Sequence, residues 1–348
     1  MPRILLVLIA LLSFPSLLWA DLPEEHPEWF SWTAQPPAGF VSGRLLPAAR
    51  AFANPEIGAT WLAVLQFLSQ QGMASTLIYP NQQQREFLTE WMTTNGLAPE
   101  EFTWFEVPTD TLFTGEWSPI PLVDGAGQIL AMDAAYYQAR RNDDAFAGRW
   151  AQQASVPMFR APLFLANCQW AITSQGLCLV SDKVATTATK LNAAQLRHVL
   201  RAWYGCKEVL FLPGPPADGL GCIDAFVRPL ASGDLLLGKP ASAGLVPTVN
   251  TYRKALQAIL PEEATLIEVD IPAPVVISGA VWVYLSYLHF VEGPSALLIP
   301  AYAGYDSGLT QIRAALADQF PDKAQVVVNF DAFAGLRLWP SRMLGLLP

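Results

Sequence analysis

The sequence predicts an α/β chain whose recurring order of elements suggests repeated modules. Strand-like and helix-like runs alternate along nearly the whole length with short connections, which is the pattern of an α/β architecture. The order helix, strand, loop, hairpin recurs several times, though without a fixed-period identity. The composition, 52% hydrophobic and only 15% charged over 348 residues, implies either an unusually large core or apolar surface that meets a partner.

The first twenty residues read as a secretory leader. Arg3 supplies the positive start, Ile4 to Leu18 is apolar, and Leu18-Trp19-Ala20 forms a cleavage site before Asp21. Ser13, Pro15 and Ser16 interrupt the apolar run and leave it too short to span a bilayer. The expected organisation is therefore a signal peptide over 1–20, a Pro- and Trp-rich lead-in over 21–38 and a single domain over 39–348. No membrane span is expected after cleavage, and the predicted location is a bacterial periplasm or beyond.

Pro55 to Gln70 carries Trp61, Leu62, Val64, Leu65 and Leu68 at helical spacing. Ala74 to Tyr79 is a buried-strand run ended by Pro80. Gln82 to Asn95 is an amphipathic helix stopped by Gly96. A strand from Phe102 to Val107 is followed by a loop, Asp110 to Pro119. Ile120 to Val123 and Ile129 to Met132 form a hairpin across Asp124-Gly125-Ala126-Gly127, and Ala134 to Gln153 reads as helix. Leu163 to Thr173 and Leu177 to Ser181 pair across Ser174-Gln175-Gly176, before a helix from Asn192 to Tyr204. After the strand Glu208 to Leu212, the small-residue loop Gly219-Leu220-Gly221-Cys222 places Asp224 at a strand's beginning. That strand turns back at Ser232-Gly233-Asp234. The remainder reads as helix Asn250 to Leu260, strands Thr265 to Val269, Val281 to Val291 and Ala296 to Ile299, helix Asp306 to Phe320, and strand Gln325 to Phe330.

The formal charge is −9, from 21 Lys and Arg against 30 Asp and Glu; loss of Arg3 with the leader makes it 20 − 30 = −10. An acidic surface argues against nucleic acid and anionic lipid as partners and weakly favours cationic ligands. Cys168, Cys178, Cys206 and Cys222 predict up to two disulfides in an exported chain, with all three pairings open. No cysteine pair has metal-ligand spacing and His26, His198 and His289 are scattered, so neither a metal nor a cofactor is expected.

The Gly219 to Asp224 loop resembles the Gly-His-x-Asp segment of the agmatine deiminase and bacterial (Porphyromonas-type) peptidylarginine deiminase family, the guanidine-modifying penteins. Phe113-Thr114-Gly115-Glu116-Trp117-Ser118-Pro119 is similar to that family's Trp-x-Arg-Asp-x-Gly-Pro. Leu163 to Val184, and the chain from Phe320-Pro321-Asp322 onward, resemble two further segments. The resemblance covers roughly Gly39 to Pro348. It implies five ββαβ-type modules in a pseudo-fivefold α/β propeller with the active site on the axis. It also implies hydrolysis of a guanidinium C–N bond. In that chemistry carboxylates grip the planar cation, a Cys thiolate attacks its carbon and a His moves protons.

Several residues depart from that pattern. Asp224 and Glu116 fall on acid positions and are the candidate guanidinium-binding residues. A third acid is missing, because no Asp or Glu lies between Ala161 and Val180. Cys222 stands where the His belongs. Ser341 and Arg342 stand, within about a residue, where the family has His and Cys, and no Cys follows position 222. His198 reads as a helix-surface residue, and His289 takes an Asn position that the family does not use for proton transfer. The expectation is an exported, inactive deiminase-like protein. It would bind a cationic small molecule, an arginine-containing peptide or an envelope protein, and one arrangement has Arg342 folding back as a built-in ligand. The alternative is an active C–N hydrolase on agmatine or peptidyl-arginine, using Cys222 or another non-standard residue.

Overall fold

The structure is a computed structural model that describes residues 33–34, 43–47, 52, 54–123, 129–137, 139–186, 191–277, 281–334 and 336–347. The expected leader, most of the lead-in and the 124–127 turn lie outside the described residues.

The recurring unit is an antiparallel strand pair whose second strand continues through helix to a third strand parallel to it. β1 (Thr33–Ala34) is a short strand added to the edge of a later sheet. β2 (Gly43–Pro47), α1 (Pro55–Gln70), β3 (Ser75–Tyr79), α2 (Gln82–Thr94) and β4 (Thr103–Glu106) give three parallel strands. After the one-turn helix α3 (Thr114–Trp117), β5 (Ile120–Val123) pairs antiparallel with β6 (Ile129–Ala135). β6 then continues through α4 (Arg141–Asp144) and α5 (Phe146–Ala154) to the parallel β7 (Met158–Phe164). β8 (Trp170–Ile172), β9 (Leu177–Ser181), α6 (Lys183–Thr186), α7 (Ala193–Tyr204) and β10 (Glu208–Leu212) repeat the scheme. So do β11 (Val227–Pro229), β12 (Leu235–Pro240), α8 (Val246–Gln257) and β13 (Leu266–Ile271). A ribbon of β14 (Val275–Ile277) and β15 (Val281–Val283) precedes the last repeat, β16 (Val291–Glu292), β17 (Ala296–Ala301), α9 (Asp306–Gln319) and β18 (Ala324–Asn329).

The chain ends with α10 (Asp331–Ala334), α11 (Pro340–Met343) and β19 (Gly345–Leu347). β19 runs antiparallel to β2, pairing Gly345 with Leu45 and Leu347 with Gly43. It thereby supplies the hairpin partner that the first module lacks, so the repeat closes into a ring of five. The closure holds α11 beside α3, although the two are separated by more than two hundred residues of chain.

Local chemistry explains the helix limits. The Asn54 side chain accepts from the Glu56 amide at the start of α1. Asn192 and Gln195 form a reciprocal cap on α7, which Gly205 ends with φ +68°. The predicted apolar face of α1 is buried, with Trp61, Val64, Leu65 and Leu68 packed against residues of the last module such as Val328, Phe330 and Phe333.

Three segments differ from the sequence expectation. The 134–153 run is not one helix: β6 extends to Ala135, where Ala134 pairs with Ala161, and only α4 and α5 are helical. Small apolar residues there are shared between strand and helix patterns, and the parallel neighbour decides. The 163–173 run breaks after Phe164 into a 3₁₀ turn, Asn167–Gln169, before β8. The 281–291 run likewise breaks at Tyr287–His289, where the Ser286 side chain accepts from the Leu288 amide. Both runs are apolar because they are buried, and burial does not require extended backbone. Among the described residues no helix is long and apolar enough to cross a membrane.

Candidate functional site

Glu116 lies on α3, inside the stretch expected to be loop, and is 1% exposed. The neighbouring Gly115 explains how α11 reaches it, since a Cβ at that position would lie 1.7 Å from the Ser341 carbonyl oxygen. Only glycine lets the two backbones approach so closely. The Thr114 hydroxyl donates to the Met343 carbonyl and fixes the same contact.

That approach delivers Arg342 onto Glu116. Arg342 Nε donates to one carboxylate oxygen and the Tyr136 hydroxyl donates to the other. Arg140 stands 3.9 Å from the same carboxylate and donates to the Tyr136 oxygen at 2.8 Å. Burial, then the Glu116 charge, drives the Tyr136 hydroxyl far above the ordinary phenol range, so it remains a donor. The Arg342 guanidinium lies 4.4 Å from the ring centre of Phe113 and 4.4 Å from that of Trp339, and it donates to the Arg337 carbonyl at 3.2 Å. A flat cation held by a buried acid between two aromatic rings is well matched on every side.

Asp224 sits in the turn before β11 rather than in the strand. Asp218 shapes the loop ahead of it, accepting from the amides of Leu220, Gly221 and Cys222 at 2.9, 3.2 and 3.2 Å. Gly221 has φ +73°, and a Cβ there would meet Lys183 Cγ at 2.5 Å. Amides of Ile223 and Asp224 then donate to the Cys168 carbonyl at 2.8 and 3.3 Å. In this position Asp224 accepts from Ser341 Oγ at 2.7 Å and lies 3.6 Å from His289 Nε2. Burial alone would raise its carboxyl, but His289, the Ser341 bond and Arg342 outweigh burial and hold it below the usual carboxylate value. The Asp218 carboxyl, by contrast, is raised by burial.

His289 is 1% exposed, and neither ring nitrogen has a hydrogen-bond partner among the described residues. Its ring stacks on Trp339, centroids 5.6 Å apart and planes within 13°. His289, read from the sequence only as standing at an Asn position that the family does not use for proton transfer, thus lies beside Asp224; His198 is exposed on α7 as expected. Cys222 is joined to Cys168 and Cys178 to Cys206, which resolves the three-way pairing and leaves no free cysteine. Cys168 belongs to the run that replaces the missing acid. Beside it, the fully buried Gln169 accepts from the Ala166 amide and donates to the Leu220 carbonyl, tying that run to the Asp224 loop. Glu116, Cys168 and Cys222 offer ligand atoms within 4.8 Å of one another, but the sulfurs are bonded together and the carboxylate is engaged.

Glu116, Cys222, Asp224 and Arg342 all line one cavity of about 210 Å³, with Asp218 and Trp339 among its other walls. Ser341 reaches Asp224 from the neighbouring side. Sequence reasoning missed Tyr136, Asp218, His289 and Trp339. The only available signal was the tyrosines and arginines around position 140, which the helix reading absorbed. Arg342 forms part of the wall of this cavity, with its guanidinium engaged on Glu116.

Among curated proteins no sequence match is found. Solved structures do match. The chain is similar to an agmatine deiminase of C. jejuni at 16% identity, covering 91% of this chain and 96% of that one with a TM-score of 0.73. It is similar to the agmatine deiminase of Enterococcus faecalis at 15% identity, over 94% and 98%, with a TM-score of 0.76. A more distant likeness is to DDAH from Pseudomonas aeruginosa, at 12% identity over 88% and 100% with a TM-score of 0.50. These likenesses establish the ring of five modules as the pentein fold. Residues 49–336 match the sequence pattern of the Porphyromonas-type peptidyl-arginine deiminases. With most of the ring inside that match, the chain belongs to the Porphyromonas-type peptidyl-arginine deiminase family.

Proposed function

We propose that this chain is an exported, catalytically silent member of its family whose guanidinium-binding acid, Glu116, is engaged by its own Arg342. The single observation that carries the reading is the Arg342 guanidinium bonded to buried Glu116 between Phe113 and Trp339. Two further features support it. Cys222 is committed to a disulfide and offers no thiolate. The only acceptor of the Ser341 hydroxyl among the described residues is Asp224, whose lowered carboxyl makes it a weak base for activating a serine. The leader-like first twenty residues and the two disulfides fit an oxidising compartment. Its role is then binding. A cationic guanidinium compound or an arginine-bearing peptide competes with Arg342 for Glu116 and Asp224, or an envelope protein engages the closed form.

Purified mature protein, incubated with agmatine and with an arginine-containing peptide, is expected to release neither ammonia nor citrulline-type product. Arg342→Ala is expected to bind agmatine more tightly than the parent. Turnover at about 1 s⁻¹ or faster, the ordinary enzymatic range, would overturn the reading. Export is tested by fractionation and by mass spectrometry of the processed N-terminus, expected at Asp21.

A second reading, an active C–N hydrolase at a non-standard site, draws on the convergence of Ser341, Asp224 and His289. Its signature is turnover abolished by Ser341→Ala and His289→Ala but retained in Cys222→Ser.

A further inference from the structure

A second cavity, of about 220 Å³, shares Asp224 with the first, and the Cys168–Cys222 bond places one cysteine on the wall of each. Its walls are mostly apolar, with Ile172, Val227, Leu288 and Leu344 among them, but two arginines line it: Arg44 of β2 and Arg228 of β11. Among the described residues neither has a carboxylate within 4.0 Å.

Their hydrogen-bond partners are neutral carbonyls, while Glu292 acts on both, and Asp224 on Arg228, only at longer range. Arg228 donates to the carbonyls of Leu288, at 2.7 Å, and Phe290, and its guanidinium carbon lies 3.5 Å from the Phe290 ring centre. Arg44 donates to the Glu292 backbone carbonyl at 3.5 Å, and its Nε is buried with no partner. The two carboxylates on the cavity wall are engaged elsewhere. Glu292 pairs with Lys323 at 2.7 Å, while Asp224 accepts from Ser341 at 2.7 Å and lies 3.6 Å from His289. Burial pushes the Arg44 and Arg228 guanidinium groups down to about 10 each, which still leaves both charged at neutral pH.

Two buried cations with no carboxylate in contact, compensated only at longer range by Glu292 and, for Arg228, by Asp224, are incompletely neutralised, and a carboxylate is their geometric and electrostatic complement. Apolar walls around them select an anion with a hydrocarbon body. At about 30 Å³ per water-sized group, the cavity has room for roughly seven to eight non-hydrogen atoms, the size of a six-carbon carboxylate. We infer that this cavity is a binding site for a small aliphatic monocarboxylate, its carboxylate on Arg44 and Arg228 and its tail against Ile172, Val227 and Leu344. The site does not rest on the engagement of Glu116 by Arg342, and its test is independent of it.

The test titrates the full chain with hexanoate, hexylammonium, 1-hexanol and inorganic phosphate by calorimetry and thermal shift. Saturable one-to-one binding of hexanoate in about the millimolar range or tighter is expected, with the three controls at least about tenfold weaker. Arg44→Gln and Arg228→Gln should each weaken hexanoate by about tenfold or more, as loss of a charge-assisted bond implies. Ala171→Phe, which adds bulk at the cavity wall and leaves both arginines, should abolish uptake. Equal binding of hexanol and hexanoate would reduce the site to an apolar void, and equal binding of phosphate would remove the role of the tail. Absence of hexanoate binding overturns the inference outright. If an arginine variant fails to fold, the contrast between hexanoate and hexylammonium on the unmodified chain still decides it.

Discussion

Replacing Arg342 with Ala removes the positive partner of a carboxylate that is 1% exposed. The Arg342 side chain is 12% exposed, so the pair is screened far less than a surface ion pair. Breaking a buried pair by deleting one partner costs about 3–5 kcal/mol, because the remaining charge is stranded. Two features move the figure toward the lower end. Tyr136 still donates to Glu116, and Arg140 stands 3.9 Å away and can move closer. Loss of the stacking on Phe113 and Trp339 works the other way, at about 0.5–1 kcal/mol per ring. The expected loss is about 3–4 kcal/mol, which at about 2 °C per kcal/mol for a chain of this size lowers Tm by roughly 6–8 °C. The assay is urea denaturation and calorimetry of Arg342→Ala, Glu116→Gln and the double variant. The double variant should lie within about 2 kcal/mol of the parent, since a neutral pair strands no charge and only the stacking on Phe113 and Trp339 is lost. Agmatine should raise the Tm of Arg342→Ala by occupying the vacated place and leave the parent nearly unmoved. A loss below about 1 kcal/mol, with additive effects in the double variant and no response to agmatine, would refute the reasoning that the guanidinium and the acid form one unit.

The remaining predictions concern the scaffold. Gly115→Ala drives a methyl group into the Ser341 carbonyl; it should separate α3 from α11 and destabilise by about 2 kcal/mol or more, seen as a lowered urea midpoint. Serine substitution of the Cys168–Cys222 pair, 54 residues apart, should cost about 4 kcal/mol on chain-entropy grounds. For Cys178–Cys206, 28 apart, the figure is about 3.5 kcal/mol, and both are measured by equilibrium unfolding against the oxidised parent. Asp133 is buried beside Arg160, and burial raises its carboxyl to about 7 against an ordinary 3.8. The native state therefore holds this proton more tightly than the unfolded chain. Its contribution to stability falls as pH rises from about 4 to about 7, by at most about 4 kcal/mol. Asp133→Asn should flatten that part of the stability–pH curve, and an unchanged slope would contradict the assignment.

The sequence by itself determined the modular α/β order, because helix and strand periods are properties of residues a few positions apart. The buried face of α1 and the caps of α1 and α7 follow from such spacings. It also located Glu116, Asp224, Cys222 and Arg342, whose neighbours along the chain carry a recognisable pattern. The three-dimensional fold decided what those residues do to one another. Arg342 meets Glu116 across 226 positions and Ser341 meets Asp224 across 117. These meetings depend on β19 closing the ring onto β2 and on Gly115 admitting the α11 backbone. The cysteine pairing and the approach of His289 to Asp224 arise in the same way, through turns interrupting apolar runs that a linear pattern reads as continuous strand. Periodicity records which side of an element is buried, whereas a site on the axis of a ring is built from the ends of many elements. The distances between those ends are set by closure of the whole chain.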